Sequence, residues 1–159
     1  ITAMHTGLRQ GELLRLTWAD IDWHVGVLTI HETKAGERRR VPMNSIVVGL
    51  FSELKEQRSP SPLDPIFPHD VRYLRRAFDK AVKAAGLHPF RFHDLRHTFC
   101  SRLVQKGVPL TVVRDLAGHS DFKLTLRYSH LTEQNKADAV VLLEAARQAP
   151  AREPSAAAS

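Results

Sequence analysis

Apolar residues recur at helical spacing along most of this 159-residue chain, and this periodicity constrains the fold more than any other feature. The clearest segment, 71–86, has an apolar stripe on one side, basic residues on the other and a glycine at its end. Segment 44–58 shows the same spacing after residues that can cap a helix. Shorter segments of this kind predict further helices at 9–18, 90–107, 109–118, 120–128 and 133–147.

Two short β-type runs, 25–30 and 39–43, surround a turn that contains Gly36, and they predict a hairpin with Lys34 at its tip. Arg38, Arg39 and Arg40 load the returning strand with positive charge. A charged edge prevents strands from aggregating, and it also suits a basic finger laid against nucleic acid. Both interpretations stay open at this point. The predicted fold class is mainly α with a small antiparallel β-hairpin sheet, an α+β arrangement.

Composition and charge narrow the class of protein. Hydrophobic residues make up 43% of the chain, which is enough to bury a core in one domain of ordinary size. Lys and Arg total 23 against 17 acidic residues, and the net charge of +6 favours an acidic polymer as partner. A membrane surface would also attract this charge, but no apolar run approaches the ~20 residues of a membrane-spanning helix. We therefore expect a soluble, cytoplasmic protein.

The chain ends suggest how the domain is bounded. The sequence begins without Met at what reads as the end of a helix, so we expect a further segment upstream. Residues 149–159 carry Pro, Ser and Ala without periodic apolar positions, which predicts a disordered tail. The domain is therefore expected to span residues 1–148. The single cysteine, Cys100, cannot form an internal disulfide and is interpreted as a buried thiol.

The stretch 90–101 concentrates titratable and cationic side chains at the start of a predicted helix. His93 and Arg96 are three residues apart and share a face, which places an imidazole beside a guanidinium. Such a pair can hold a phosphate and move a proton, although a solvated basic face would look the same. His97 lies four residues after His93, so the pair could also ligate zinc, but the stretch lacks a third ligand.

Arg9 is predicted at the start of a short helix, where its charge opposes the helix macrodipole at a cost of roughly 0.3–1 kcal/mol. An anionic partner would offset that cost. Glu12, three residues further on, is one such partner, and it could equally hold the guanidinium in place for a ligand.

Five motifs in chain order carry a family resemblance: Arg9 in TGLRQGELLRLTW, Lys34 at the hairpin tip, the HDLRH motif of 93–97, His119 in LAGHS and Tyr128 in TLRYSHL. In this order they resemble the catalytic domain of the tyrosine recombinases, the phage integrase and Xer-type family. The resemblance extends from about residue 6 to 131, and it implies the fold of that catalytic domain. One small departure is Ala117, where the family often has a second leucine before Gly-His.

The resemblance implies a role for each matched residue. Arg9 and Arg96 would clamp the non-bridging oxygens of a DNA phosphate, and His119 would donate a further hydrogen bond to them. Tyr128 would attack the phosphorus and form a 3′-phosphotyrosyl bond, with His93 as its base. Lys34 would protonate the leaving 5′-oxygen. The family needs neither ATP nor metal, and the sequence has no Walker-type glycine loop, so no cofactor is expected.

Other residues are expected to support these or to bind DNA. Glu12 is assigned to holding Arg9, Asp94 to the start of its helix, and His97 to support of the site. The predicted DNA-binding residues form two arginine groups, Arg38, Arg39 and Arg40 in the hairpin and Arg72, Arg75 and Arg76 in segment 71–86.

The function that follows is site-specific DNA recombination or integration by cleavage and rejoining of strands. Double-stranded DNA is the expected partner, with a tetramer on paired DNA sites, a monomer in solution and association with the nucleoid. Two alternatives stay open: a catalytically inactive DNA-binding module of the same fold, and a type IB topoisomerase-like enzyme that nicks and closes DNA.

Overall fold

A computed structural model describes residues 1–31, 38–87 and 89–132. The helices and strands follow the periodicity of the sequence closely. In chain order they are α1 (Thr2–Thr6), α2 (Gln10–Arg15), β1 (Ile21–Asp22), β2 (Val27–His31), β3 (Arg38–Pro42), α3 (Ser45–Arg58), α4 (Val71–Ala84), α5 (Phe92–Gln105), α6 (Leu110–Ala117) and α7 (Lys123–Leu126). Short 3₁₀ turns lie at Trp18–Asp20 and Ser129–Thr132.

The sheet is antiparallel, with strand order β1-β2-β3. Strands β2 and β3 form the predicted hairpin, in which the buried residues Leu28 and Val41 pair with each other. Strand β1 was not predicted, because two residues carry no readable alternation. The predicted hairpin tip with Lys34, the helix at 133–147 and the tail at 149–159 lie outside the described residues.

Helix α4 is less buried than its sequence indicates. Val82 is buried, but Val71 and Tyr73 are 52% and 57% exposed. The apolar stripe contacts the rest of the fold at Leu74 and at Phe78, whose ring lies against the rings of Phe90 and Phe92.

The buried side chains form two clusters. The first joins the sheet to α2 and α3 and includes Leu28, Val41 and Phe51. The second joins α5, α6 and the segment that carries Tyr128, and it includes Phe99 and Cys100. The prediction that Cys100 is a buried thiol is confirmed, since its side chain is fully buried. No helix among the described residues is long and apolar enough to cross a membrane.

Helices α1 and α5 pack together through Gly7, which ends α1 in the left-handed conformation with φ 67°. A Cβ at this position would lie 2.5 Å from Cδ1 of Phe99, a ring in the second cluster. The carbonyl of Gly7 also accepts a hydrogen bond from Nη1 of Arg96 at 2.7 Å. Gly7 therefore sets both the helix packing and the position of a predicted site residue.

We predict that Gly7→Ala lowers the free energy of unfolding by about 1–3 kcal/mol more than Gly26→Ala does, because overpacking against Phe99 adds to the backbone strain. Gly26 is a matched control, since its φ is 66° and a Cβ at that position would have no atom within 4 Å. Urea unfolding of the two variants checks this difference. Equal losses of unfolding free energy in the two variants would show that a clash with Phe99 does not add to the destabilisation.

Candidate active site

The carboxylate of Glu12 lies between two arginines. It accepts hydrogen bonds from Nη1 of Arg9 at 2.7 Å and from Nη1 and Nη2 of Arg39 at 3.1 and 2.8 Å. It also accepts from the backbone N–H of Arg9 at 2.7 Å, which caps α2. The predicted contact between Arg9 and Glu12 is therefore present, and Arg39 joins it. We call Arg9, Glu12 and Arg39 the arginine–glutamate cluster.

This cluster links α2 and β3 to the end of α6. Nη2 of Arg9 donates to the carbonyl of Gly118 at 2.6 Å, and Nε of Arg39 donates to the carbonyl of Leu116 at 3.3 Å. Burial by itself would raise the pKa of Glu12. The hydrogen bonds from Arg39 and Arg9, together with the charge of Arg39, outweigh this effect and lower the pKa to about 2. Glu12 is therefore ionised throughout the neutral range.

The three arginines of β3 do not share one environment. The Arg39 side chain is 11% exposed and faces the cluster, whereas Arg38 is exposed and the Arg40 side chain is 66% exposed, 3.9 Å from Asp22. Alternation along the strand explains this difference, because Arg39 lies on the same face as buried Val41. Arg39 was predicted to bind DNA with its neighbours, but the structure places its guanidinium inside the site.

Arg96 is a buried cation. The residue is 2% exposed, Nη1 donates to Gly7, and Nη2 has no hydrogen-bond partner among the described residues. Burial and the nearby charge of Arg9 lower the pKa of Arg96 to about 10, so the side chain still carries its charge at neutral pH. Burying a guanidinium that lacks some of its hydrogen-bond partners destabilises the folded state, and an anion bound to it would offset this loss of free energy.

His119 follows Gly118, which ends α6 in the left-handed conformation and turns the chain back towards Arg9. Its Nδ1 lies 2.8 Å from Oγ1 of Thr125, a fully buried side chain. Burial and then the charges of Arg96 and Arg9 lower the pKa of His119 to about 4. His119 is therefore neutral at physiological pH and close to both arginines.

Tyr128 is 5% exposed, and its hydroxyl lies 2.5 Å from Nδ1 of His97. Tyr128 and Cys100 belong to the same hydrophobic cluster. Burial raises the pKa of Tyr128 well above its usual value, while the charges of Arg127 and Arg96 oppose that shift. The phenol is therefore protonated at rest. The contact with His97 was not predicted, because it depends on how the chain returns to α5 after α7.

His93 lies at the start of α5, where it is exposed, and its ring meets that of His97 edge-on at 4.7 Å between centroids. Partial desolvation of the ring by its neighbours, then the charges of His97 and Arg96, lower the pKa of His93. Asp94 accepts from the backbone N–H of Arg91 at 2.7 Å, which supports the start of α5 in the predicted way. Within the described ranges, no group of three or more acidic, His or Cys residues could hold a metal ion.

The arginines of α4 lie away from these contacts. Arg72, Arg75 and Arg76 are all exposed, and the Arg72 side chain is 90% exposed beside Asp70. The structure therefore brings Arg9, Glu12, Arg39, Arg96 and His119 together, places Tyr128 beside His97, and leaves the α4 arginines on the surface. Lys34 lies outside the described residues.

Comparison with solved structures identifies this architecture as the catalytic domain of tyrosine recombinases. The XerH site-specific recombinase bound to its difH substrate superposes with a TM-score of 0.72 at 26% identity, covering 90% of this chain and 45% of that one. The catalytic domain of bacteriophage HP1 integrase has the same fold, with a TM-score of 0.71 at 24% identity over 92% of this chain and 80% of that one.

The sequence profile of the phage integrase family matches residues 2–135, and the chain belongs to this family. The integrase of Salmonella phage P22 is 33% identical over 164 residues, which cover 92% of this chain and 40% of that protein. A tyrosine recombinase of Pseudothermotoga lettingae is 33% identical over 142 residues, covering 84% of this chain and 49% of that protein. The chain thus spans about half the length of the curated relatives it matches.

Proposed function

We propose that residues 1–148 form the catalytic domain of a site-specific DNA recombinase that cuts and rejoins strands through a covalent bond between Tyr128 and a 3′-phosphate. The observation that carries this proposal is the convergence of Arg9, Arg96 and neutral His119, with the buried charge of Arg96 incompletely bonded. DNA-bound recombinases of the same fold support double-stranded DNA as the ligand.

The two arginines suit a phosphate that gains negative charge as it is attacked. Charge-assisted hydrogen bonds from guanidinium groups strengthen as charge develops on the non-bridging oxygens. The arginine–glutamate cluster supports this role, because Glu12 and the Gly118 carbonyl fix the Arg9 side chain from two directions before a ligand binds. Arg39 supports the same arrangement through its hydrogen bonds to Glu12.

In the proposed cleavage step, the hydroxyl oxygen of Tyr128 forms a bond to phosphorus as the bond from phosphorus to the 5′-oxygen breaks. The phenol proton passes to an imidazole, and the leaving oxygen takes a proton from Lys34. The energy of the phosphodiester is kept in the phosphotyrosyl bond, so the free 5′-hydroxyl of another strand can reverse the step. No ATP or metal ion takes part in this scheme.

The geometry supports His97 as the imidazole that receives the proton. The sequence predicted His93 as the base and His97 as support. In the structure the tyrosine hydroxyl makes its hydrogen bond to Nδ1 of His97, and the His93 ring contacts the His97 ring. Burial and the charge of Arg127 lower the pKa of His97, which keeps it neutral and able to accept a proton.

Exposed arginines supply a surface for the flanking DNA backbone. Arg38 and Arg40 on β3 and Arg72, Arg75 and Arg76 on α4 are exposed, and this exposure supports the proposal that they contact DNA phosphates, which would make binding dependent on salt. We further propose a monomer in solution that assembles as a tetramer on paired DNA sites in the cytoplasm, at the nucleoid.

The nucleophile can be tested with nicked DNA duplexes that cover the sequence flanking the gene. The wild-type protein should form an adduct that survives denaturing electrophoresis, and Tyr128→Phe should form none, since it lacks the attacking oxygen. Tyr73→Phe is the matched control, because Tyr73 is the other of the chain's two tyrosines and lies exposed on α4.

The outcomes of this assay separate the candidate functions. If the wild-type protein forms no adduct, the result would favour the alternative function, a catalytically inactive DNA-binding module. An adduct that never exchanges strands between two duplexes would indicate a topoisomerase-like enzyme. An adduct formed equally by Tyr128→Phe would refute Tyr128 as the nucleophile.

The proton acceptor is tested by single-turnover rates of adduct formation. His97→Gln should slow the step by about 10²–10⁴-fold, the usual contribution of a general base. His93→Gln is the matched variant, one helical turn earlier on the same helix, and should slow it less. The reverse order of the two effects would return the role of base to His93.

A further inference from the structure

Thr125 occupies a position between two residues of the proposed site. Its side chain is fully buried, and Oγ1 lies 2.8 Å from Nδ1 of His119. Its backbone carbonyl accepts a hydrogen bond from the N–H of Tyr128 at 3.0 Å. Thr125 therefore contacts His119 through its hydroxyl and the nucleophile's segment through its backbone.

The direction of the hydrogen bond to His119 decides which ring nitrogen carries the proton. A neutral imidazole has one N–H, and the other nitrogen can only accept. His119 is the sole hydrogen-bond partner of the Thr125 hydroxyl among the residues that the structure describes. If Nδ1 carried the proton and donated it, the buried hydroxyl would be left without an acceptor, at a cost of about 1–3 kcal/mol. The hydroxyl therefore donates, and Nδ1 accepts.

With Nδ1 accepting from Thr125, the proton of His119 must lie on Nε2. This matters because a phosphate oxygen is an acceptor, and only an N–H can bond to it. The opposite tautomer would present the lone pair of Nε2 and repel the oxygen. Burial and the charges of Arg96 and Arg9 lower the pKa of His119, so the ring is neutral at pH 7 and carries only one proton.

We propose that Thr125 is a positioning residue for the cleavage step, whose hydroxyl fixes the tautomer of His119 that donates through Nε2 to a phosphate oxygen. The inference rests on the proposed function for its phosphate, but the tautomer itself is a property of the protein without DNA. The tautomer can therefore be determined independently of the cleavage activity.

The test uses Thr125→Val, which keeps the shape of the side chain without its hydroxyl, and Thr125→Ser, which keeps the hydroxyl. In ¹⁵N NMR spectra of the DNA-free protein at pH 7, wild type and Thr125→Ser should show His119 protonated on Nε2. Thr125→Val should show a mixture of tautomers. Thr6→Val is the control, because Thr6 is equally buried and bonded to a backbone carbonyl, and it should leave the His119 signals unchanged.

Kinetics supply the second readout. Thr125→Val should slow adduct formation by about 10²–10³-fold, the usual effect of losing one hydrogen-bond donor to a developing oxyanion. Thr125→Ser should recover most of that loss. A wild-type His119 protonated on Nδ1 would overturn the proposal, and so would a Thr125→Val variant with the wild-type tautomer and rate. If Thr125→Val does not fold, the wild-type and serine spectra still decide the tautomer.

One further outcome is that His119 is protonated on Nε2, as predicted, but neither the wild-type protein nor any variant forms an adduct with DNA. In that case the positioning of His119 by Thr125 would lack a reaction to serve, and both the positioning role and the proposed cleavage activity would be rejected. An adduct with the wrong tautomer would reject only the role of Thr125.

Discussion

The carboxylate of Glu12 is the interaction on which the rest of the site depends. It holds Arg9 and Arg39 at once, and these two arginines reach the carbonyls of Gly118 and Leu116 at the end of α6. The cluster thereby ties the sheet and α2, which belong to one hydrophobic cluster, to α6, which belongs to the other. Removing one partner from such a buried ionic group costs far more than removing an exposed pair.

A second link at Gly7 joins α1 to α5. The glycine lets α1 lie against Phe99, and its carbonyl accepts from Arg96. The charged side chains of the site are thus held by backbone carbonyls and one carboxylate, while the hydroxyl of Tyr128 is hydrogen-bonded to His97. The groups proposed to bind phosphate and the proposed nucleophile are therefore positioned by different contacts in the fold.

Sequence reasoning predicted the helices, the hairpin and the matched motif residues, because periodicity and motif order are local signals. It missed features that depend on tertiary structure. The contact of His97 with Tyr128 joins residues 31 positions apart, and the two-residue strand β1 forms only by pairing with β2. The partly exposed stripe of α4 shows that amphipathic spacing predicts a helix without fixing how deeply it packs.

The position of Arg39 could have been predicted from the sequence, because it follows from the alternation of side chains along a strand. Three adjacent arginines look alike as charges, but strand alternation puts Arg39 on the face of buried Val41 and turns Arg38 and Arg40 outward. Arg39 therefore acts inside the fold, through Glu12. Urea unfolding of Arg39→Ala and Arg40→Ala without DNA tests this role directly. We expect Arg39→Ala to lower the free energy of unfolding by about 3 kcal/mol and Arg40→Ala to change it by no more than about 0.5 kcal/mol. Equal stabilities of the two variants would show that Arg39 does not stabilise the fold through Glu12.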